Sequence, residues 1–204
     1  MINVTLLRAN DFQVSDWSGG KTKQLYLSPP TGHYGKRDFD YRLSTATVEL
    51  AESQFSDLSG FHRILMSLNH TLHLHNASRQ EETVLAPFTP YVFEGSDSIT
   101  SRGTCTDFNL IYSDHYQGQM IAISNGQELS RDNEIQFIYA LGDLTVTGTN
   151  LPALNLEAEQ LLIVEKETQE KETQETELHI MFSSNQPEGT PLAIWAGLTH
   201  IPTK

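Results

Sequence analysis

Phe39-Asp40-Tyr41-Arg42-Leu43-Ser44-Thr45-Ala46-Thr47-Val48 has the composition of an extended strand. Successive side chains of an extended chain point to opposite faces, so Arg42, Ser44, Ala46 and Val48 share one face and Tyr41, Leu43, Thr45 and Thr47 the other. The residue types are those that suit a pleated, half-buried surface. The same rhythm returns at residues 2–7, 22–27, 61–68, 70–75, 91–94, 104–112, 120–124, 135–141, 144–147, 156–164, 178–183 and 192–198. Between these segments lie turn formers such as Ser18-Gly19-Gly20, Pro29-Pro30-Thr31-Gly32, Asn125-Gly126 and Gly142-Asp143. A helical period is almost absent, one short turn being expected at residues 51–58. The pattern predicts an all-β protein, a barrel or jelly roll of antiparallel strands.

The chain has 204 residues, with 13 Lys and Arg against 26 Asp and Glu, a net charge of −13 and a pI near 4.9. Affinity for phosphate backbones comes from clustered Lys and Arg, so no nucleic-acid partner is expected. With 38% hydrophobic and 19% charged residues the composition is globular. A chain of this length can bury roughly 70% of its unfolded surface, so it needs no disulfide or metal to fold. The longest aliphatic run, Leu161, Leu162, Ile163 and Val164, is far short of a membrane span. No basic segment followed by an apolar run opens the chain, and Cys105 is the lone cysteine, which together predict a cytoplasmic protein. Residues 165–174 hold the pentamer Glu-Lys-Glu-Thr-Gln twice in tandem. Residues 165–177 are expected to form a solvated, charged hairpin extension, the alternative being an acidic interaction tail. The acidity is uneven: residues 1–112 carry 9 basic and 12 acidic side chains, residues 113–204 carry 4 and 14. The near-balanced half can therefore still attract a small anion.

That half also carries a series of motifs: Trp17-Ser18-Gly19-Gly20-Lys21-Thr22-Lys23-Gln24-Leu25, the 39–49 stretch, Phe55-Ser56-Asp57-Leu58-Ser59-Gly60 and Arg63-Ile64-Leu65. Leu85-Ala86-Pro87-Phe88, Phe93-Glu94-Gly95 and Thr106-Asp107-Phe108-Asn109-Leu110 continue the order. Together, over residues 14 to 111, they resemble the HutD/Ves family; the C-terminal half carries no matching motif. The resemblance implies a cupin (RmlC-like jelly roll) protein with two packed barrels. Residues 1–112 would form one cupin-like half and residues 113–204 the other. HutD-like proteins are associated with histidine utilisation and with binding a small intermediate, such as an N-formyl or formimino carboxylic acid, as a regulator. Ves-like members are described as stress-induced. Such a likeness transfers fold better than chemistry.

The residues themselves suggest a site. Arg42 beside Ser44 on an inward face would clamp a carboxylate; on an outward face the Arg stem would cover apolar neighbours. Cys105, Asp107 and Asn109 share a face, and Asn109 can both donate to and accept from an amide, formyl or formimino group, while Asp107 could instead cap a turn or pair with an Arg. Two glycines after Trp17 permit close approach of the backbone to a ligand or to a neighbouring strand, with Thr22 as a hydroxyl donor. The expected ligand-binding set is Arg42, Ser44, Asn109, Asp107, Trp17, Thr22, Arg63 and Phe108, with Tyr41 as a further apolar wall. His73 and His75 form the His-x-His with which metal-binding cupins begin their ligand set. Arg79 and Gln80 stand where the next carboxylate belongs, and no later His completes it, so neither metal nor cofactor is expected. Nucleophile motifs and phosphate loops are lacking, and no catalytic residue is assigned. The leading expectation is a non-enzymatic binder of a small organic acid, with no membrane partner and a homodimer formed through sheet edges. The alternative is a cupin enzyme, metal-dependent or isomerase-like, using His62 or His73 with Tyr41 or Asp107.

Overall fold

The computed structural model describes residues 2–148, 151–166 and 178–202. Among them, extended segments run from end to end. In the first part they are β1 (Ile2–Leu7), β2 (Gln13–Trp17), β3 (Gly20–Ser28), β4 (Tyr41–Val48), β5 (Glu52–Gln54), β6 (Phe61–Ser67), β7 (Leu72–Asn76), β8 (Glu81–Leu85), β9 (Pro90–Glu94), β10 (Ile99–Arg102) and β11 (Cys105–Ser113). Then follow β12 (Tyr116–Ser124), β13 (Glu128–Arg131), β14 (Ile135–Ala140), β15 (Leu144–Gly148), β16 (Leu151–Leu156), β17 (Leu161–Lys166), β18 (Leu178–Ser183) and β19 (Pro191–His200). The helical segments among the described residues are two single 3-10 turns, Ala9–Asp11 and Tyr34–Lys36. The protein is all-β, as the period-two pattern requires.

The chain divides into two compact units, Phe12–Gly118 with Ile201–Lys204, and Met1–Asp11 with Gln119–His200. The first unit contains a six-stranded sheet in the order β2-β3-β4-β11-β6-β9 and a four-stranded sheet in the order β5-β10-β7-β8. One apolar cluster joins the two, with Val48, Leu65, Tyr91, Phe93 and Cys105 from the larger sheet against Leu72, Leu74, Leu85 and Ile99 from the smaller. Each side chain so buried contributes roughly 1.5–3 kcal/mol. The second unit has sheets β1-β17-β14-β19-β12 and β13-β18-β15-β16. Its core gathers Ile138, Leu162, Val164 and Trp195 from one sheet with Leu144, Val146, Ile180 and Phe182 from the other.

Several boundaries differ from the sequence reading. Ile2–Leu7 stands apart from the N-terminal half: β1 pairs antiparallel with β17 from Leu7↔Leu161 to Ile2↔Lys166. Residues 51–58 form no helical turn. Glu52, Ser53 and Gln54 instead pair with Arg102, Ser101 and Thr100 of β10, and Arg102 Nε meets Glu52 Oε2 at 2.8 Å. The run 156–164 is two strands, because Glu159 takes a left-handed φ of 65° and turns the chain between β16 and β17. Residues 167–177, most of the expected charged extension, lie outside the described residues; Glu165 and Lys166 belong to β17.

Candidate functional site

The motif-bearing strands build one concave surface. In the register of the six-stranded sheet Ile111 of β11 lies between Arg42 of β4 and Arg63 of β6, Asn109 between Ser44 and Leu65, and Asp107 between Ala46 and Ser67. Period two then turns Arg42, Ser44, Ala46, Val48, Arg63, Asp107, Asn109 and Ile111 into a single cavity of about 330 Å³. Trp17 and Thr22 from the β2–β3 hairpin, Tyr34, and the Ser53-Gln54-Phe55-Ser56 segment close its sides. The hairpin reaches in because Gly20, at φ 144°, lets β3 lie against β4. A Cβ there would stand 1.9 Å from the Thr47 carbonyl oxygen, so the close approach that this glycine permits is to a neighbouring strand.

Two arginines dominate the electrostatics. Arg63 is 5% exposed, and its guanidinium carbon lies 5.0 Å from the ring centre of Phe55 and 4.9 Å from that of Phe93. Burial pushes its pKa down to about 10, and its Nε meets no acceptor. Arg42 sits 4.2 Å from the Tyr34 ring centre, donating from Nε to Gln24 Oε1 at 2.8 Å and from Nη1 to Ser44 Oγ at 3.2 Å. Burial lowers its pKa as well. On the same wall the Asn109 Oδ1 is buried and receives no donor. An orphaned donor and an orphaned acceptor on one wall each cost about 1–3 kcal/mol if left unmet. The cavity thus presents cationic donors and an amide acceptor to whatever small molecule enters it.

Asp107 is 8% exposed on the same wall. Burial pushes its pKa up to about 7, opposed by Arg63, by the Ala46 backbone and by Arg42. The folded chain keeps the proton where the unfolded chain has released it. That stabilisation is fully present below the ordinary value near 3.8 and is lost as pH rises to about 7. Asp107→Asn will therefore be more stable than the parent at pH 8, by at most a few kcal/mol, with the difference shrinking toward pH 5. Urea unfolding at a series of pH values reads this directly, and a pH-independent difference would refute it.

The HutD family model matches residues 9–181. The chain belongs to the HutD family. No curated protein matches it in sequence. Among solved structures it is similar to the conserved protein PA5104 of unknown function from Pseudomonas aeruginosa PAO1, at 22% identity and a TM-score of 0.78 over 97% of this chain and 99% of that one. HutD from Pseudomonas fluorescens SBW25, in a structure described as its formate condition, is likewise 22% identical, with a TM-score of 0.75 over 98% and 100% of the two chains. A cupin 2 conserved barrel domain protein from Leptotrichia buccalis, 6% identical, has a TM-score of 0.52 over 97% and 96%. The fold of this HutD-family chain is thus of the cupin type.

Of the residues singled out in the sequence, Arg42, Ser44, Asn109, Asp107, Trp17, Thr22 and Arg63 line the cavity, and Phe108 does not. Phe108 is an even-numbered residue of β11, so the pleat sends it to the opposite face, where it is fully buried. Tyr41 is turned away for the same reason and packs on Tyr26 and Tyr116. His62 is held outside the cavity between Glu94 Oε2 at 2.8 Å and Asp114 Oδ1 at 2.9 Å. His73 is exposed on β7, and His75 Nδ1 lies 2.7 Å from Glu82 Oε1. None of the proton-transfer pairs drawn from His62 or His73 with Tyr41 or Asp107 is assembled in the cavity. A cupin metal set does not fit these residues: the cavity wall carries no histidine, and among the described residues no three His, Cys, Asp or Glu side chains converge.

Tyr34, Gln24, Phe55 and Phe93 were not legible as site residues. Tyr34 lies in an aperiodic loop, and the other three matter through the arginines they hold. Phe55-Ser56 was visible as a family motif, which is the one signal that could have drawn Phe55 in. A wider cleft of about 730 Å³ in the second unit is lined by Arg8, Asp143, Thr145, Asn155, Glu157 and Gln160, among others. Its polar groups largely bond to one another, Thr145 Oγ1 to Asn155 Oδ1 at 2.9 Å and Gln160 Nε2 to Glu157 Oε2 at 3.3 Å. It presents no buried unpartnered atom among the described residues, and the smaller cavity is the better candidate.

Proposed function

We propose that this chain is a non-enzymatic cupin, built as two barrels, that binds a small organic acid in the β4–β6–β11 cavity. The observation that carries this reading is a pair of buried guanidinium groups, Arg42 and Arg63, on one wall with the unpartnered Arg63 Nε and Asn109 Oδ1. Arginine forks match carboxylate geometry, and the stacked Phe55 and Phe93 rings beside Arg63 hold its guanidinium in place before a ligand arrives. Family membership supports a ligand of the N-formyl or formimino carboxylic acid class, with the protein sensing or buffering a histidine-degradation intermediate; the lone cysteine suits a cytoplasmic setting and free sheet edges suit a homodimer. Binding acts by stabilising the liganded conformation. At millimolar concentration such a ligand will raise the melting temperature by a few degrees, and Arg42→Ala will abolish the shift. A broad panel of small carboxylic acids without any shift would remove the support for this reading.

One observation favours a second reading. A carboxyl group titrating near 7 within a ligand-sized cavity is suited to general acid–base work, which would make the protein an isomerase-like enzyme with Asp107 as the proton carrier. Proton NMR of the bound acid in deuterated buffer separates the two: hydrogen exchange or a new product favours the enzyme, and an unchanged ligand favours the binder.

A further inference from the structure

We infer that the second unit holds a small-acid site of its own, in which Arg131 takes the carboxylate of a short α-hydroxy acid and Asn133 its hydroxyl. The inference goes beyond the binding reading above, which concerns the first unit alone. Its basis is a repeat of topology and of chemistry. The sheets of the first unit contain the orders β4-β11-β6-β9 and β5-β10-β7-β8, and those of the second contain β12-β19-β14-β17 and β13-β18-β15-β16. Adding eight to each strand number converts one pair of orders into the other. In the first unit Arg63 Nε and Asn109 Oδ1 are buried without partners, and the arginine lies against aromatic rings. In the second unit the same two atom types, Arg131 Nε and Asn133 Oδ1, are buried without partners, and this arginine too lies over an aromatic ring.

Arg131 ends β13, and its guanidinium carbon stands 5.6 Å from the Trp195 ring centre. Its Nη1 donates to the Ser130 carbonyl at 3.0 Å, which leaves Nε for another acceptor. Asn133 is 3% exposed and donates from Nδ2 to Thr199 Oγ1 at 3.0 Å, which leaves Oδ1 for another donor. Both groups meet the same indole. A Cβ added to Gly197 would stand 2.4 Å from Trp195 Cη2 and 2.7 Å from Asn133 Cγ, so the bare glycine lets ring and amide come together. Trp195 Nε1 donates to Gln136 Oε1 at 3.0 Å, and Gln136 Nε2 donates to the Asn133 carbonyl at 3.4 Å, which ties the indole to the same loop. Ser130 Oγ is also unpartnered, but period two sends it to the opposite face of β13. A cationic donor beside a neutral acceptor calls for an anionic oxygen next to a hydroxyl. An ammonium in place of that hydroxyl would set a like charge against Arg131. The fully buried Trp195 fills the space beside both groups, which restricts the acid to a few atoms.

The probes are glycolate and acetate, which differ by the hydroxyl. Trp17 and Trp195 are the two tryptophans of the chain, so in Trp17→Phe the indole N–H resonance belongs to Trp195. Titration of this full-length variant with glycolate at millimolar concentration should shift that resonance saturably. Acetate should bind roughly tenfold more weakly, because it leaves Asn133 Oδ1 unmet. Adding Arg131→Gln should remove the response to glycolate while the resonance keeps its folded position. Adding Arg42→Ala instead, which disables the first-unit site, should leave the response unchanged. A response that survives Arg131→Gln, or that vanishes with Arg42→Ala, would place the acid elsewhere and overturn the inference. Equal affinities for the two acids would overturn the role of Asn133 and with it the ligand class. No response to either acid would show that solvent alone meets Arg131 and Asn133, which overturns the inference and leaves the first-unit reading intact.

Discussion

Arg63→Met will raise the melting temperature by a few degrees and weaken small-acid binding on the order of 100-fold. The two effects have one cause. Arg63 is charged, nearly out of contact with water, and pushed down to about 10 by that burial, so at neutral pH the folded chain carries a desolvation cost on the order of a few kcal/mol. The cost is relieved as pH rises through about 10, and at any pH by removing the charge. Methionine has a comparable reach and makes favourable contacts with aromatic rings, so it can pack against the stacked Phe55 and Phe93 in place of the guanidinium. For a chain of this length 1 kcal/mol corresponds to about 2–4 °C. The ligand loses a charge-assisted partner worth about 2–5 kcal/mol where the opposite charge is left buried. Thermal unfolding and calorimetry on the same preparation test both halves. A melting temperature lowered by several degrees would mean that the guanidinium holds the aromatic pair together, and retention of binding would place the anion elsewhere.

The largest purely structural effect is expected at Trp195. It is fully buried, and its Nε1 donates to Gln136 Oε1 at 3.0 Å; Gln136 is also fully buried. Trp195→Phe removes the donor, leaves that oxygen unmet in the interior and takes away ring volume. The expected loss is about 2–4 kcal/mol, or roughly 5–10 °C in melting temperature. Gln136→Leu in the Trp195→Phe background should recover part of the loss, giving a coupling of about 1 kcal/mol or more in a double-mutant cycle. Strict additivity, or a single-variant loss below about 0.5 kcal/mol, would show that the hydrogen bond contributes nothing. Because Trp195 and Gln136 belong to the unit without the cavity, the first unit's ligand affinity offers a separate readout of whether the chain is still folded.

The faces of β4 and β11 were readable because alternation is a local property. Whether Arg42, Asp107 and Asn109 point together follows from parity along each strand once the chain is extended, and the order of polar groups along β11 was already written in Cys105, Asp107, Asn109 and Ile111. Phe108 illustrates the same rule from the other side, since its parity excludes it from the cavity whatever its chemistry. The Ala51 to Leu58 segment shows where local reading stops. Its preference is weak, and pairing of Glu52, Ser53 and Gln54 with β10, far along the chain, decides that it is extended.

The amino-acid pattern by itself determined an all-β chain, the two faces of its main strands, an acidic surface with a near-balanced N-terminal half, and a family whose motifs mark the cavity wall. Tertiary structure alone decided the rest. It joined β1 to β17, brought Arg63 of β6 opposite Arg42 of β4 across β11, set Arg63 against the stacked Phe55 and Phe93, and buried Asp107. The reason is physical. A residue's direction depends on its neighbours in sequence, but its solvation, and with it the charge it holds at neutral pH, depends on which distant strands cover it.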